Sequence, residues 1–116
     1  MNTQRRHKKP DPAVPYMGIV ECLQCIVDHG KHSKALNYCV NYAKHGIEIY
    51  KKYDKDVNAD QLPFVGDLAR NYHNEMHVQL LYVLNNMTHW RGDTATNVRI
   101  NLRNHVKDIE RAKKEL

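Results

Sequence analysis

The fold is decided by the stretch 33–53, which reads SKALNYCVNYAKHGIEIYKKY. Its apolar residues recur every three or four positions, as on one face of an amphipathic helix. The stripe consists of Leu36, Cys39, Val40, Ala43, Ile47 and Tyr50. Four more side chains widen it to about 200°, although about 100° covers one core face; they are Tyr38, Tyr42, Ile49 and Tyr53. We therefore expect this helix to contact two neighbours, or one neighbour and a second chain, with those four residues as a protein interface.

Three other segments carry the same helical period, and no segment alternates with the period of a strand. Gly30 follows the first segment and is expected to end it in the left-handed conformation. Ser33 is a suitable N-cap for the second helix, and the polar stretch 54–61 separates that helix from the third. The predicted helices are 15–29, 33–53, 62–87 and 93–112. The sequence thus predicts an all-α fold, a single-domain bundle of about four helices over 15–116, most simply up-down antiparallel.

The charge of the 116-residue chain is uneven along its length. The formal net charge is +5, and the excess lies in the first 15 residues and in 93–116, while the middle is neutral. Residues 1–14 combine charge and proline with few apolar side chains, so we expect a flexible basic tail. No apolar run reaches the ~18–20 residues that span a bilayer, and no export signal is recognisable. A cytoplasmic protein without membrane contact is therefore expected.

Basic side chains at both ends make nucleic acid a candidate partner. The tail contributes Arg5, Arg6, Lys8 and Lys9. Four cations also recur on one face of the last predicted helix, turned away from its apolar stripe. This basic stripe consists of Arg99, Arg103, Lys107 and Arg111. Such a row can follow a phosphate backbone, with binding that weakens as salt rises. The simpler interpretation is a solvated helix face, because Glu110 interrupts the row.

A string of soft ligands near the start of the domain raises the question of a metal site. It reads C-x2-C-x3-H-x2-H and comprises Cys22, Cys25, His29 and His32. Three of these residues fall within about 60° of one another on a helix, away from the apolar stripe around Leu23. The spacing matches no common zinc module, and buried free cysteines are ordinary in helix packing. Packing is the preferred interpretation, and no metal or other cofactor is expected.

A second polar cluster lies on the third predicted helix, where Arg70, His73 and His77 share one edge. The span from Arg70 to His77 resembles the R-x4-6-H motif of HEPN ribonuclease domains, as does the span from Arg99 to His105. Those domains are also small helical bundles, in which the Arg and His of one helix act on an RNA phosphodiester. The resemblance implies that Arg70 binds the scissile phosphate and that His77 acts as acid or base. The alternative is the polar rim of a packed helix.

Three functions are consistent with these patterns. The preferred one is a non-enzymatic accessory or interaction protein that binds a protein partner, because the Tyr-rich second helix offers contact area at low entropic cost. This build is typical of small accessory proteins of phages and mobile elements. A nucleic-acid-binding protein is the alternative, and a HEPN-like, metal-independent ribonuclease is the lesser alternative.

Overall fold

The computed structural model describes residues 14–31, 33–57 and 66–115, and within these ranges all regular structure is helical. The helices are α1 (Ile19–Gly30), α2 (Asn37–Val57), α3 (Gly66–Asn85) and α4 (Asp93–Glu115), and a 3₁₀ turn over Lys34–Leu36 leads into α2. The prediction of an all-α bundle of four helices is confirmed. The basic tail, His32 and the stretch 58–65 lie outside the described residues.

Consecutive helices pack side by side, and α4 closes the bundle against α1. Antiparallel packing of α2 and α3 is seen in two contacts that run in opposite order along the helices. The Gln79 side-chain amide donates to the Tyr42 carbonyl at 3.0 Å, and the Lys52 ammonium lies 3.4 Å from the Glu75 carboxylate. The up-down arrangement follows from these pairings and from the short connections between helices.

One hydrophobic core lies between the four helices. Every helix contributes side chains that are fully buried, so each is held by the same core rather than by a separate cluster. The largest of them are Leu23, Ile26, Met76, Leu80, Met87 and Leu102. Most of these positions recur at spacings of three and four within their helix, which is the pattern from which the helices were predicted.

Two glycines allow α1 and α2 to approach closely. A Cβ atom on Gly30 would lie 2.3 Å from Val40 Cγ2, and one on Gly46 would lie 2.9 Å from Leu23 Cδ1. Gly30 is itself the last residue of α1, and the following Lys31 has right-handed backbone angles. The predicted left-handed stop at Gly30 is therefore wrong. The glycine serves close packing, which the helical period cannot reveal.

Some helix ends differ from the predicted bounds. The helix α1 begins at Ile19, and the Glu21 carboxylate accepts a hydrogen bond from the Gly18 N–H at 3.1 Å, which satisfies one free amide at its start. The helix α2 continues to Val57, beyond the predicted end at Tyr53. The polar residues from Asp54 onward thus extend the helix by a turn, although their types favour turns.

The residues before α1 form an extended strap against α4. The side-chain amide of Asn101 accepts a hydrogen bond from the Met17 N–H and donates one to the Pro15 carbonyl, both at 3.0 Å. The ring of His105 donates to the Met17 carbonyl at 2.7 Å. Asn101 is 5% exposed, so its polar atoms are buried with their partners supplied by the strap. These bonds attach the start of the described chain to α4.

None of the helices in the described ranges has the length and apolar character needed to cross a membrane.

Candidate functional site

An apolar surface is exposed across the outer sides of α2 and α3. Its members are large side chains that the core leaves uncovered. We call this surface the tyrosine patch, and it consists of Tyr38, Tyr42, Val78, Leu81 and Tyr82. Tyr38 is 70% exposed, and Val78 and Tyr82 are each 47% exposed. Contiguous apolar surface of this kind is a feature of protein interaction sites.

A stacked pair of rings joins the two halves of the patch. The rings of Tyr42 and Tyr82 lie 5.2 Å apart between centroids, with 28° between their planes. Tyr38 precedes Tyr42 by one helical turn, and Val78 precedes Tyr82 by one turn, so each helix presents two adjacent members. The stack fixes the tyrosine orientations across the helix boundary, and the patch is therefore preformed.

Two of the four residues predicted to form an interface on α2 are covered within the chain. Ile49 is 5% exposed and Tyr53 is 4% exposed. The ring of Tyr53 packs edge-on against Tyr72 at 5.6 Å, and its hydroxyl donates to the Glu75 carboxylate. The physical reason is that α3 lies over this end of the wide apolar arc. Only Tyr38 and Tyr42 of the predicted set belong to the exposed patch.

The other members of the patch, on α3, were not identified from the sequence. Val78, Leu81 and Tyr82 lie on the side of α3 opposite the buried residues Met76, Leu80 and Val83. A signal was present, because a helix that is apolar on both sides needs a second partner or is fully buried. The sequence does not show which apolar side of α3 stays exposed. In the structure α2 and α4 pack on α3 and leave Val78, Leu81 and Tyr82 partly exposed.

The predicted basic stripe of α4 is divided between two roles. The guanidinium of Arg99 donates to the carbonyls of Met87 and Trp90, at 3.0 and 2.8 Å, and so holds the connection between α3 and α4. Arg103 and Lys107 are exposed. Arg111 is exposed as well and lies 3.2 Å from the Asp108 carboxylate. The stripe is thus shorter than the spacing suggested, and the tail cations Arg5, Arg6, Lys8 and Lys9 lie outside the described residues.

The described members of the C-x2-C-x3-H-x2-H string are Cys22, Cys25 and His29, and they do not form a common metal site. Cys22 is fully buried, with its thiol 3.8 Å from the Met17 carbonyl, because α1 packs on both α2 and α4 and its buried arc reaches this position. Cys25 and His29 are neighbours, with 3.6 Å between Sγ and Nδ1. His32 lies outside the described residues. Among the residues described, no group of three or more His, Cys, Asp or Glu side chains could hold a metal ion.

The surroundings raise the pKa of all three thiols. Burial raises the pKa of Cys22 to about 12 and that of Cys39 to about 11. Burial, with the nearby charges of Asp28 and Glu21, also raises the pKa of Cys25. Because the thiolate is the nucleophilic form, a raised pKa lowers the reactivity of these thiols at neutral pH.

The polar cluster on α3 makes separate contacts. Arg70 lies 2.6 Å from the Asp67 carboxylate, one turn back on the same exposed helix face. His77 lies between α3 and α4, where its Nε2–H donates to Glu110 at 3.1 Å and its Nδ1 accepts from Lys113 at 3.1 Å. Burial, with the Lys113 charge, lowers the pKa of the adjacent His73. Both ring nitrogens of His77 are thus engaged in joining two helices.

The second span with the HEPN-like spacing is also used to hold the fold together. Arg99 bonds to the connection between α3 and α4, and His105 donates to the Met17 carbonyl of the strap. In both spans the Arg and the His have different partners: Arg70 lies by Asp67 on its own helix, whereas His77 reaches Glu110 of α4. The phosphate-site roles that the resemblance implies for Arg70 and His77 stay a prediction.

Comparison with known proteins gives no match: no protein-family model matches the chain, and no curated protein or solved structure shows significant similarity to it.

Proposed function

We propose that this protein acts without catalysis, by binding a protein partner through the tyrosine patch. The observation that carries the proposal is the exposure of the patch, in which Tyr38 leaves 70% of its surface in water and Tyr82 leaves 47%. Exposed apolar surface is costly to keep unless a partner covers it. Tyrosine is also favoured in interfaces because its rigid ring loses little entropy on binding.

The chemistry of the partner surface follows from the patch. Its members are aromatic or aliphatic, and the charged groups nearby pair with one another, as Lys52 does with Glu75 and His45 does with Glu48. The patch therefore favours an apolar surface with hydrogen-bond acceptors for the tyrosine hydroxyls, such as one face of an amphipathic helix. The groove beside it, lined by His45, Ile49 and Val78, has a volume of about 350 Å³ and extends this surface.

The experiment is affinity capture from nuclease-treated host lysate with three forms of the chain. The first is the wild type, the second is Tyr38→Ser with Tyr82→Ser, and the third is Tyr16→Ser. Tyr16 is the matched control because it is 72% exposed but lies by His105, away from the patch. Circular dichroism checks that every form is folded, since loss of the Tyr42–Tyr82 stack costs about 0.5–1.5 kcal/mol.

We expect one protein to be retained by the wild type and by Tyr16→Ser, and lost with the patch variant. Direct binding of that purified protein, measured by calorimetry, should weaken at least tenfold with the patch variant, because buried tyrosines are common hot spots. Equal retention by all three forms would refute the proposal. A partner that disappears only on nuclease treatment would show that nucleic acid, not protein, mediates the interaction.

A further inference from the structure

A polar groove separates the end of α1 from the start of α2. Its volume is about 810 Å³, and its apolar base is formed where Gly30 packs on Val40. The polar side chains lining it are Lys31, Ser33, Lys34, Asn37, Asn41 and Lys44. We call this feature the lysine groove. Its size falls within the range of ligand-binding clefts, which is about 300–1,000 Å³.

The groove carries three lysines that form no ion pair with any of the described residues. No carboxylate is among the described residues that line it, and Lys31, Lys34 and Lys44 are exposed. Asp28 and Glu48 lie three and four positions from Lys31 and Lys44, but their side chains contact the Gln24 amide at 2.9 Å and the His45 ring at 3.4 Å. Neither carboxylate is within ion-pair distance of a groove lysine, so the three ammonium groups can contact an anion.

The backbone at the start of α2 adds to the positive potential in the groove. Asn37, the first residue of the 21-residue helix α2, lies in the wall of the groove. The N-terminal end of a helix carries a partial positive charge. The N–H groups of Leu36 and Asn37 already donate to the carbonyls of Ser33 and Lys34, so the contribution is that of the helix dipole. Ser33 and the two asparagines supply neutral hydrogen-bonding groups beside the lysines. The groove thus combines full charges, a helix dipole and neutral donors, which is the set that binds phosphate oxygens.

We propose that the lysine groove binds the phosphate backbone of a nucleic-acid strand. Lys34 and Lys44 are ten positions apart along the 3₁₀ turn and α2, a distance of about 15 Å. That span corresponds to about four phosphates at the 3.4 Å rise of one strand. A row of cations of this length suits a polymer better than the clustered phosphates of one nucleotide. No aromatic side chain is among the described residues that line the groove, so we expect phosphate contacts rather than base stacking to carry the binding, with little dependence on sequence.

This inference does not depend on the tyrosine patch. The two surfaces share no residue, because the groove is lined by Lys31, Lys34 and Lys44 and the patch is built on tyrosines and aliphatic side chains. The groove also differs from the stripe predicted on α4, because Lys31, Lys34 and Lys44 were not part of any predicted site. Its lysines come from α1, the 3₁₀ turn and α2, and only the packing of Gly30 against Val40 brings these elements together.

The test is a fluorescence-anisotropy titration of the full chain with labelled 20-nucleotide single-stranded DNA, single-stranded RNA and duplex DNA of mixed sequence. The groove variant is Lys34→Gln with Lys44→Gln. The matched control is Lys51→Gln with Arg91→Gln, which removes the same charge from exposed positions outside the groove. Glutamine keeps helix propensity close to that of lysine, and circular dichroism confirms folding. Poly-glutamate serves as a competitor, to compare an acidic peptide with a phosphate backbone.

We expect binding to at least one nucleic acid at 50 mM salt, weakened at least tenfold in the groove variant and less than threefold in the control. The slope of log affinity against log salt should fall by about 1.4 in the groove variant, at about 0.7 for each phosphate contact with a single strand. The tightest of the three ligands identifies the strand type. The proposal is overturned by absence of binding, by equal weakening of both variants, or by displacement with poly-glutamate at an equal concentration of charge.

Discussion

Arg99 has a different role in the structure from the one that its position in the basic stripe suggested. Its spacing places it in a row of cations on α4, but its guanidinium reaches back to the connection between α3 and α4. The carbonyls of Met87 and Trp90 that accept its hydrogen bonds belong to that connection. A charged donor from α4 therefore stabilises the turn that joins the two helices.

Replacement of Arg99 tests this role directly. We predict that Arg99→Met lowers the free energy of unfolding by about 1–3 kcal/mol, because two carbonyls lose a charge-assisted hydrogen bond. The matched control, Arg103→Met, removes an exposed cation from the same helix and should change it by less than about 0.5 kcal/mol. Urea unfolding followed by circular dichroism measures both. Equal losses in the free energy of unfolding would show that Arg99 stabilises the protein through its charge alone and not through these hydrogen bonds.

The three cysteines differ in exposure, and their chemistry should follow. At pH 7.5 a maleimide should modify only Cys25 in the folded chain, because Cys22 and Cys39 are fully buried and their pKa values are raised. Reaction at Cys25 should accelerate as the pH rises through 9, since its pKa is also raised and the thiolate forms late. Peptide mass spectrometry locates the label, with urea-unfolded chain as the control in which all three react. Rapid native labelling of Cys22 would contradict the packing of α1.

Among the elements, the pairing of α1 with α2 depends on the smallest side chain. Gly30 ends α1 where the two helices are closest, and it also forms the base of the lysine groove. In an exposed helix interior, glycine is less stable than alanine by about 1 kcal/mol. The structure explains this unfavourable choice, because any larger residue would meet Val40.

We predict that Gly30→Ala destabilises the protein by about 1–3 kcal/mol, as overpacking does, despite the better helix propensity of alanine. Combining it with Val40→Ala should restore space for the new methyl group. The double variant should therefore lose less free energy of unfolding than the two single variants together. Thermal and urea unfolding of the four forms provide the double-mutant cycle. A Gly30→Ala variant more stable than the wild type would show that the helices are farther apart than described.

For the whole molecule, the remaining question is what covers the tyrosine patch. The wide apolar arc of α2 predicted a homodimer or a complex with a partner, and α3 proves to cover Ile49 and Tyr53. The side chains left exposed amount to roughly 300–400 Å², whereas a stable interface buries about 800 Å² on each side. The patch alone is therefore too small for a stable interface of either kind, so it does not hold two copies together, and a protein partner must also contact the polar residues around it.

We accordingly predict a monomer in solution. Light scattering at 10 μM should give the 13.6 kDa mass of one chain, at low and at moderate salt. The patch variant Tyr38→Ser with Tyr82→Ser serves as the control, with an unchanged mass. A mass twice that of the chain, reduced to one chain in this variant, would instead identify a second copy as the occupant of the patch.

The sequence alone was enough to predict the all-α architecture. Stripes such as Leu36, Val40 and Ala43 repeat at three and four positions, and this local period both forms the helix and buries its face. The break between the predicted helices 62–87 and 93–112 is also present in the structure, where Gly92 adopts a positive φ of 109°. Helix ends were less certain, as the extension of α2 to Val57 shows, since neighbouring helices can stabilise polar residues that favour turns.

The candidate sites needed the tertiary structure. Sequence spacing determines which side chains share a helix face, but not which neighbour that face meets. The Asn101 contact with Met17 joins residues 84 positions apart, and the His77 contact with Lys113 joins residues 36 apart. Such partners are set by how the four helices pack around the core. The sequence therefore determined the helices, the stripes and the distribution of charge, because those depend on near neighbours. Only packing decided that Arg99 holds the connection between α3 and α4, that Tyr53 is covered while Tyr38 is not, and that three lysines share a groove.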